Sequence, residues 1–213
     1  MTIVRIDSFS VSLDGYGAGP GQTLETPMGQ GGHRLHGWAM ATRTFQRMFG
    51  RDGGADGVDE GFAAAGLAGL GAWVMGRNMF AHSRGPWTDD GWIGWWGPEP
   101  VYACPVFVRT HHARPDLKVG KTTFHFTDAP LADVVARARD AAGGLDVRIG
   151  GGTATAREAL AEGLVDRAHI AVSPVLLHRG ENLWADLDLA AAGYGPEEVT
   201  QGEGATHVVL RRA

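Results

Sequence analysis

The stretch that decides the fold is Val147-Arg148-Ile149-Gly150-Gly151-Gly152-Thr153. Val147 to Ile149 form a short strand, and three glycines follow it. Beyond Thr153, the residues Ala156, Ala159, Leu160 and Leu164 recur at helical spacing, and the helix ends near Gly163. A strand that feeds glycines into a helix N-terminus is a phosphate-cradle geometry. Backbone N–H groups without side chains can approach an anion, and the helix dipole adds favourable potential. Thr153 can cap that helix or donate to a phosphate. The run matches neither G-x-G-x-x-G nor G-x-x-x-x-G-K-[ST]. A tight strand-to-helix turn would use the same residues, so the pattern alone leaves both readings open.

Working outward, strands and helices alternate. Ile3 to Leu13 is expected to be a strand, closed by Asp14-Gly15. Gly15 to Gly37 is a long glycine-dense loop with Pro20 and Pro27. Trp38 to Met48 is expected to be helical, Gly50 to Gly61 a second loop, and Phe62 to Leu70 a short helix. Ala72 to Met75, Val106 to Arg109, Thr122 to Phe126, Ala168 to Leu177 and His207 to Arg211 are strand candidates. Asp128 is placed to cap a helix carrying Leu131, Val134, Val135 and Ala138, which Gly143-Gly144 stops. Pro174 inside the fourth of those strands suggests an edge, a bulge or a break. The alternation implies an α/β layer fold with a mainly parallel sheet. No composition break or internal repeat appears, so one domain over 1–213 is expected.

The bulk numbers narrow the function. The 213 residues carry 19 Lys and Arg against 24 Asp and Glu, a net charge of −5. Such a chain is a poor general binder of nucleic acid or anionic membranes. A single cysteine, Cys104, excludes an internal disulfide or a multi-cysteine zinc site. No run approaches the ~20 apolar residues of a membrane span. Met1 to Ser10 lacks an apolar signal core, so a cytoplasmic protein is expected. Glycine stands at 33 residues, roughly twice its usual share.

Two further strand ends resemble the first. Gly76-Arg77-Asn78 and Arg109-Thr110-His111-His112 each put a cation just past a strand. In open α/β sheets, ligands bind beyond the carboxyl ends of strands. Three such ends could together hold a polyanion, and guanidinium suits phosphate through bidentate hydrogen bonds. Taken singly, each arginine is an ordinary surface charge. His33-x-x-His36 and His111-His112 lack the rest of a metal ligand set, so no metal is expected. The tryptophans Trp87, Trp92, Trp95 and Trp96 could stack on a flat heterocycle or anchor a loop. Asp14 could touch substrate or simply turn the chain. No zinc-hydrolase motif, nucleophile elbow or P-loop appears.

These segments resemble the dihydrofolate reductase superfamily, in the branch of the riboflavin-biosynthesis reductase domain. The resemblance is carried by Ser12-Leu13-Asp14-Gly15, Met75 to Phe80, Pro105 to His112, Thr122 to Phe126 and Val147 to Gly180, in family order. It implies a three-layer α/β fold, with a central, mostly parallel mixed sheet, an antiparallel C-terminal portion and flanking helices. It implies NADPH as cofactor. Gly150, Gly151, Gly152 and Thr153 would meet the pyrophosphate, and Arg77 and Asn78, just past Gly76, would start a second phosphate-facing helix. Arg109, Thr110 and His111 would lie at the adenosine 2′-phosphate, and Leu13, Asp14 and Gly15 near the nicotinamide.

The expected activity is hydride transfer from NADPH to a small pterin- or aminopyrimidine-like heterocycle. Asp14 is the candidate catalytic group, and Trp38, Trp87 and Trp95 are the candidate substrate contacts. One alternative is 5-amino-6-(5-phosphoribosylamino)uracil reduction; another is a nucleotide-binding protein without turnover. The sequence departs from its relatives at the acid that binds pterin, where Asp59 or Glu60 are the candidate replacements, and at His178. A homodimer is expected, from the family and the apolar C-terminal strands.

Overall fold

The computed structural model describes residues 2–88 and 91–213. Met1, which begins the N-terminal reading, and Asp89 and Asp90, inside the tryptophan-rich segment, lie outside the described residues.

The chain forms β1 (Val4–Ser12), β2 (Tyr16–Ala18), α1 (Gly37–Met40), α2 (Arg43–Met48), α3 (Val58–Leu67), β3 (Leu70–Gly76), β4 (Pro105–Arg109), β5 (Leu117–Val119) and β6 (Thr122–Thr127). It continues through α4 (Leu131–Ala141), β7 (Asp146–Gly151), α5 (Thr153–Ala161), β8 (Arg167–Ser173), β9 (Glu181–Asn182), β10 (Tyr194–Gln201) and β11 (Thr206–Arg212). Among the described residues, nine strands form one sheet in the order β10-β11-β8-β1-β7-β3-β4-β6-β5. Strands β8, β1, β7, β3, β4 and β6 run parallel; β5, β11 and β10 join antiparallel. The late strand β7 inserts between β1 and β3, and β8 takes the other side of β1. The chain therefore changes direction across the sheet at β1 and β7, and the carboxyl ends there open a crevice.

Alternation decides which residues meet the helices. Val4, Ile6, Val74, Val147 and Ile149 face the core under α4 and α5. The opposite face carries Trp73, Met75, Val106, Val108, Phe124 and Phe126. On that face Arg5 and Arg148 cap α3. Their guanidinium groups donate to the carbonyls of Ala65, Ala68 and Gly66 at its C-terminal end. Asp7 lies against Arg5 at 3.2 Å. Burial raises its carboxyl above the usual range, and Arg148, Arg5 and Arg167 oppose that rise.

Several expected boundaries shift. The strand expected to run from Ala168 to Leu177 ends at Ser173, because Pro174 lacks a donor and Val175 N–H turns back to Ser173 O at 2.7 Å. Trp38 to Met48 divides into α1 and α2, since Thr42 restarts the helix by accepting Phe45 N–H. The helix expected over Phe62 to Leu70 instead begins at Val58, inside the expected loop, because Glu203 accepts the Val58 and Asp59 amides. Asp128 does not cap α4, whose N-cap is Pro130 without a side-chain bond. Strand β10 was not expected: its residues are mostly exposed and polar and show no apolar alternation.

Candidate active site

Two adjoining clefts open at the carboxyl ends of the central strands. The first has a volume of about 390 Å³. Its walls come from the end of β3 (Gly76, Arg77, Asn78), the end of β4 (Arg109 to His112) and the start of α5 (Gly152, Ala154, Thr155, Glu158). The second, about 150 Å³, is walled by Ser8, Phe9 and Ser10 of β1, by Gly17 and Ala18, by His36, and by Gly150, Gly152 and Thr153. Asn78, Gly152 and Glu181 line both clefts, so one extended ligand can span them.

Local chemistry explains why this place is open and polar. No acid lies in the first turn of α5 and no side chain caps it, so its amides face the cleft uncompensated. A Cβ on Gly152 would meet nothing within 4 Å, so the backbone is bare on that side. Gly76 is required for closeness: its Cβ would lie 2.5 Å from Thr155 Oγ1. Arg77 lies 3.8 Å over the Trp87 ring and donates to Gly85 O, while its Nε and Nη2 are buried without a partner. Burial and the neighbouring Arg114 lower its pKa. Orphaned buried donors at a cleft wall are what a bound anion would satisfy. Arg109 is ion-paired with Glu158 across the first cleft.

The second cleft has a different character. Arg148 is committed to α3 and to the Asp7 carbonyl. Burial lowers its pKa to about 10. Ser8 holds a left-handed backbone, φ 52°, in a β1 bulge, and its N–H donates to His169 Nδ1 at 3.1 Å. The Ser10 hydroxyl accepts the Trp38 indole N–H at 2.9 Å. His36 Nδ1 is buried without a partner. Burial lowers its pKa, which keeps the ring neutral at neutral pH.

The structure gathers most, but not all, of the residues singled out in the sequence. Gly76, Arg77, Asn78, Arg109, Thr110, His111 and Gly152 line the first cleft, and Gly150, Gly152 and Thr153 the second. Gly151 lies behind them, where its Cβ would touch Phe9 and Met79. Leu13, Asp14 and Gly15 line neither cleft. Leu13 is exposed, and a Cβ on Gly15 would collide with Trp184. Asp14 accepts from Ser12 Oγ at 2.5 Å, Leu177 N–H at 3.1 Å and His178 N–H at 2.7 Å. Burial raises its pKa, but these bonds outweigh it and hold the carboxylate at about 2. A carboxylate so held cannot deliver a proton at neutral pH; it clasps β1 to the segment after β8.

The three candidate substrate tryptophans sit in three places. Trp38 is 3% exposed and packs edge-on to His169 and His207. Trp87 packs against Arg77 and Arg114, 3.8 and 5.0 Å from its ring, and its indole N–H donates to His112 O at 2.5 Å. Trp95 packs with His82 and Trp92 and braces the Asn78 carbonyl at 3.4 Å. Asp59 and Glu60 also lie outside both clefts. Asp59 holds His207 and the Gly204 amide, and Glu60 holds Thr44. Sequence reasoning missed Ser8, Ser10, Thr155 and Glu158. Helical spacing could have found the last two: Thr155 and Glu158 lie one turn apart on the helix after the glycines.

Residues 6–191 match the family described as the RibD C-terminal domain. The chain belongs to this family of reductases. A riboflavin biosynthesis protein from Shewanella sp. PV-4, so described provisionally, has a TM-score of 0.61 at 21% identity, covering 100% of this chain and 98% of that one. A pyrimidine reductase-like protein from Corynebacterium diphtheriae has a TM-score of 0.52 at 14% identity, covering 99% and 91%. The Thermotoga maritima diaminohydroxyphosphoribosylaminopyrimidine deaminase/5-amino-6-(5-phosphoribosylamino)uracil reductase has a TM-score of 0.53 at 13% identity, and the chain spans 57% of its length. At these identities the likeness shows a shared fold. No curated protein matches the sequence. Among the described residues, no helix is long and apolar enough to cross a membrane, and no group of three or more His, Cys, Asp or Glu could hold a metal ion.

Proposed function

We propose that this RibD C-terminal domain is an NADPH-dependent reductase of a small heterocycle. The adenosine half of the nucleotide would lie in the first cleft, with nicotinamide and substrate in the second. The observation that carries this reading is the junction of the clefts at Asn78, Gly152 and Glu181. The residues fit a dinucleotide: Arg77 has two buried unpartnered donors, and Gly152 leaves open space beside the free amides of α5.

Bound there, NADPH would supply the hydride. The protein's part is to bind, orient and exclude water. The Ala154 and Thr155 amides would hold the pyrophosphate, and Arg77 would neutralise it. Ser8, Phe9 and Ser10 form a wall against which a flat ring would rest. His36, neutral with a free Nδ1, would accept a hydrogen bond from a ring or exocyclic N–H. Arg148 is the arginine among the described residues lining the second cleft; its Nη1 and Nη2 donate to Gly66 O and Asp7 O while its Nε is buried without a partner, so it offers no bidentate fork. That favours an uncharged heterocycle over the phosphoribosylated uracil of the alternative reading.

Titrating NADPH and NADH, then adding pterins, aminopyrimidines and small carbonyls, tests the proposal. Oxidation of NADPH by a heterocycle is the expected result. Binding without turnover across such a set would favour the nucleotide-binding alternative, and failure of either nucleotide to bind would remove both. We also propose that the protein works as a cytoplasmic homodimer. Strand β10 is an exposed sheet edge of the kind that partners cover. A monomeric mass by light scattering at micromolar concentration would contradict this.

A further inference from the structure

We propose that Glu158 sets how strongly the first cleft discriminates a 2′-phosphate, by holding Arg109 in an ion pair that competes with such a phosphate for the guanidinium. This inference rests on the dinucleotide reading of the cleft. Among the described residues, the charges lining that cleft are Arg77, Arg84 and Arg109 against Asp128, Glu158 and Glu181, three of each sign. Two of the cations face acids: Arg109 is paired with Glu158, and Arg84 lies 3.9 Å from Glu181. Arg77 instead donates to a carbonyl and stacks on Trp87. The described cations of the cleft are therefore matched in number by acids, which is unusual for a surface meant to hold several phosphate charges.

Position makes Glu158 the controlling acid. It follows Thr155 by one helical turn on α5, so it sits on the cleft wall just beyond the amides proposed to hold the pyrophosphate. Arg109 ends β4 and reaches Glu158 across the cleft; the two side chains are 26% and 35% exposed, so an entering ligand can touch both. A second phosphate on the adenosine side would be drawn to Arg109 and repelled by Glu158. A bidentate pair with Arg109 would draw its guanidinium away from Glu158 Oε2, and any contact there sets a carboxylate beside a dianion. A nucleotide without that phosphate meets no such cost.

Glu158→Gln keeps the shape and removes the charge, so Arg109 is freed without loss of packing. Dissociation constants for NADPH and NADH, from calorimetry on wild type and variant, read the effect directly. NADPH affinity is expected to rise on the order of tenfold, with that of NADH changing less than about twofold. Glu162→Gln is the control: it removes the same charge at the exposed C-terminal end of α5. Glu158→Ala, which keeps a strong helix former, should behave as the Gln variant. Unchanged NADPH affinity, equal tightening of both nucleotides, or the same effect from Glu162→Gln would overturn the inference. Failure of folded wild type and variants to bind either nucleotide would instead show that the dinucleotide reading itself is wrong.

Discussion

His169 Nε2 lies 2.9 Å from His207 Nδ1, in a buried chain whose direction is fixed at both ends. At one end the Ser8 backbone N–H can only donate, so His169 Nδ1 accepts and carries no proton. His169 Nε2–H therefore donates to His207 Nδ1, and His207 Nε2–H donates to Asp59 Oδ1 at 2.8 Å. Phe62 stacks on both rings at centroid distances of 4.4 and 4.2 Å, and Trp38 meets both edge-on. This chain anchors the β1 bulge that walls the second cleft. Nitrogen-15 NMR at neutral pH should show both rings as neutral Nε2–H tautomers. A proton on His169 Nδ1 would contradict the chain.

The same chain carries a pH dependence. Burial first, then His207, Arg167 and Arg148, push His169 from 6.5 down to about 3. Between those values the unfolded chain binds a proton that the folded one refuses. The stability tied to the neutral ring is therefore full above 6.5 and falls as pH drops toward 3. Urea midpoints should decrease from about pH 7 to about pH 5. A midpoint that is flat or rises over that interval would exclude His169 as a significant term.

Asp14 should behave as a clasp. Asp14→Ala removes the acceptor for Ser12, Leu177 and His178 and should cost about 1–3 kcal/mol of unfolding free energy. Nucleotide affinity should change little, because Asp14 lines neither cleft. A normal unfolding curve with abolished turnover would restore a catalytic role.

Trp87 should report on the first cleft. Its ring packs against Arg77 and Arg114, so an anion that draws on Arg77 alters its surroundings directly. Nucleotide should change tryptophan fluorescence in wild type, and Trp87→Phe should remove most of that change. Trp38→Phe should leave the signal intact while losing the bond to Ser10, at about 1 kcal/mol of stability. An undiminished signal in Trp87→Phe would place the ligand elsewhere.

The strand ends and the glycine turn were legible in the sequence because they are local: a short apolar run, a breaker, then a cap or cation. The parallel sheet followed from alternation. What was not legible depends on pairs far apart in the chain. Glu203 starts α3 through amides about 145 positions away, and Trp38 reaches Ser10, so neither partner is marked locally. Asp14 and Trp38 were singled out for their chemistry, but hydrogen bonds to distant groups had already used it. Glu158 shows the reverse case: an ordinary helix acid acquires its importance from Arg109, on another element.

The closeness of β3 to α5 at the cleft gives the sharpest packing test. Gly76 sits where an added Cβ would lie 2.5 Å from Thr155 Oγ1, while the next nearest atoms, Gly152 N and Thr155 Cβ, are 3.6 and 3.7 Å away. The obstruction is thus a single oxygen. Gly76→Ala alone should destabilise by about 1–3 kcal/mol, because Thr155 is buried and cannot swing aside freely. Thr155→Ala removes that oxygen and leaves the Cβ at ordinary contact. The double variant should therefore be less destabilised than the sum of the singles, with a coupling of about 1 kcal/mol or more in a denaturation cycle. The cycle also reads the site, since these residues set the gap between Arg77 and the α5 amides. If the two changes simply add, β3 and α5 are not in contact at Gly76, and the cleft wall they share is wider than the structure places it.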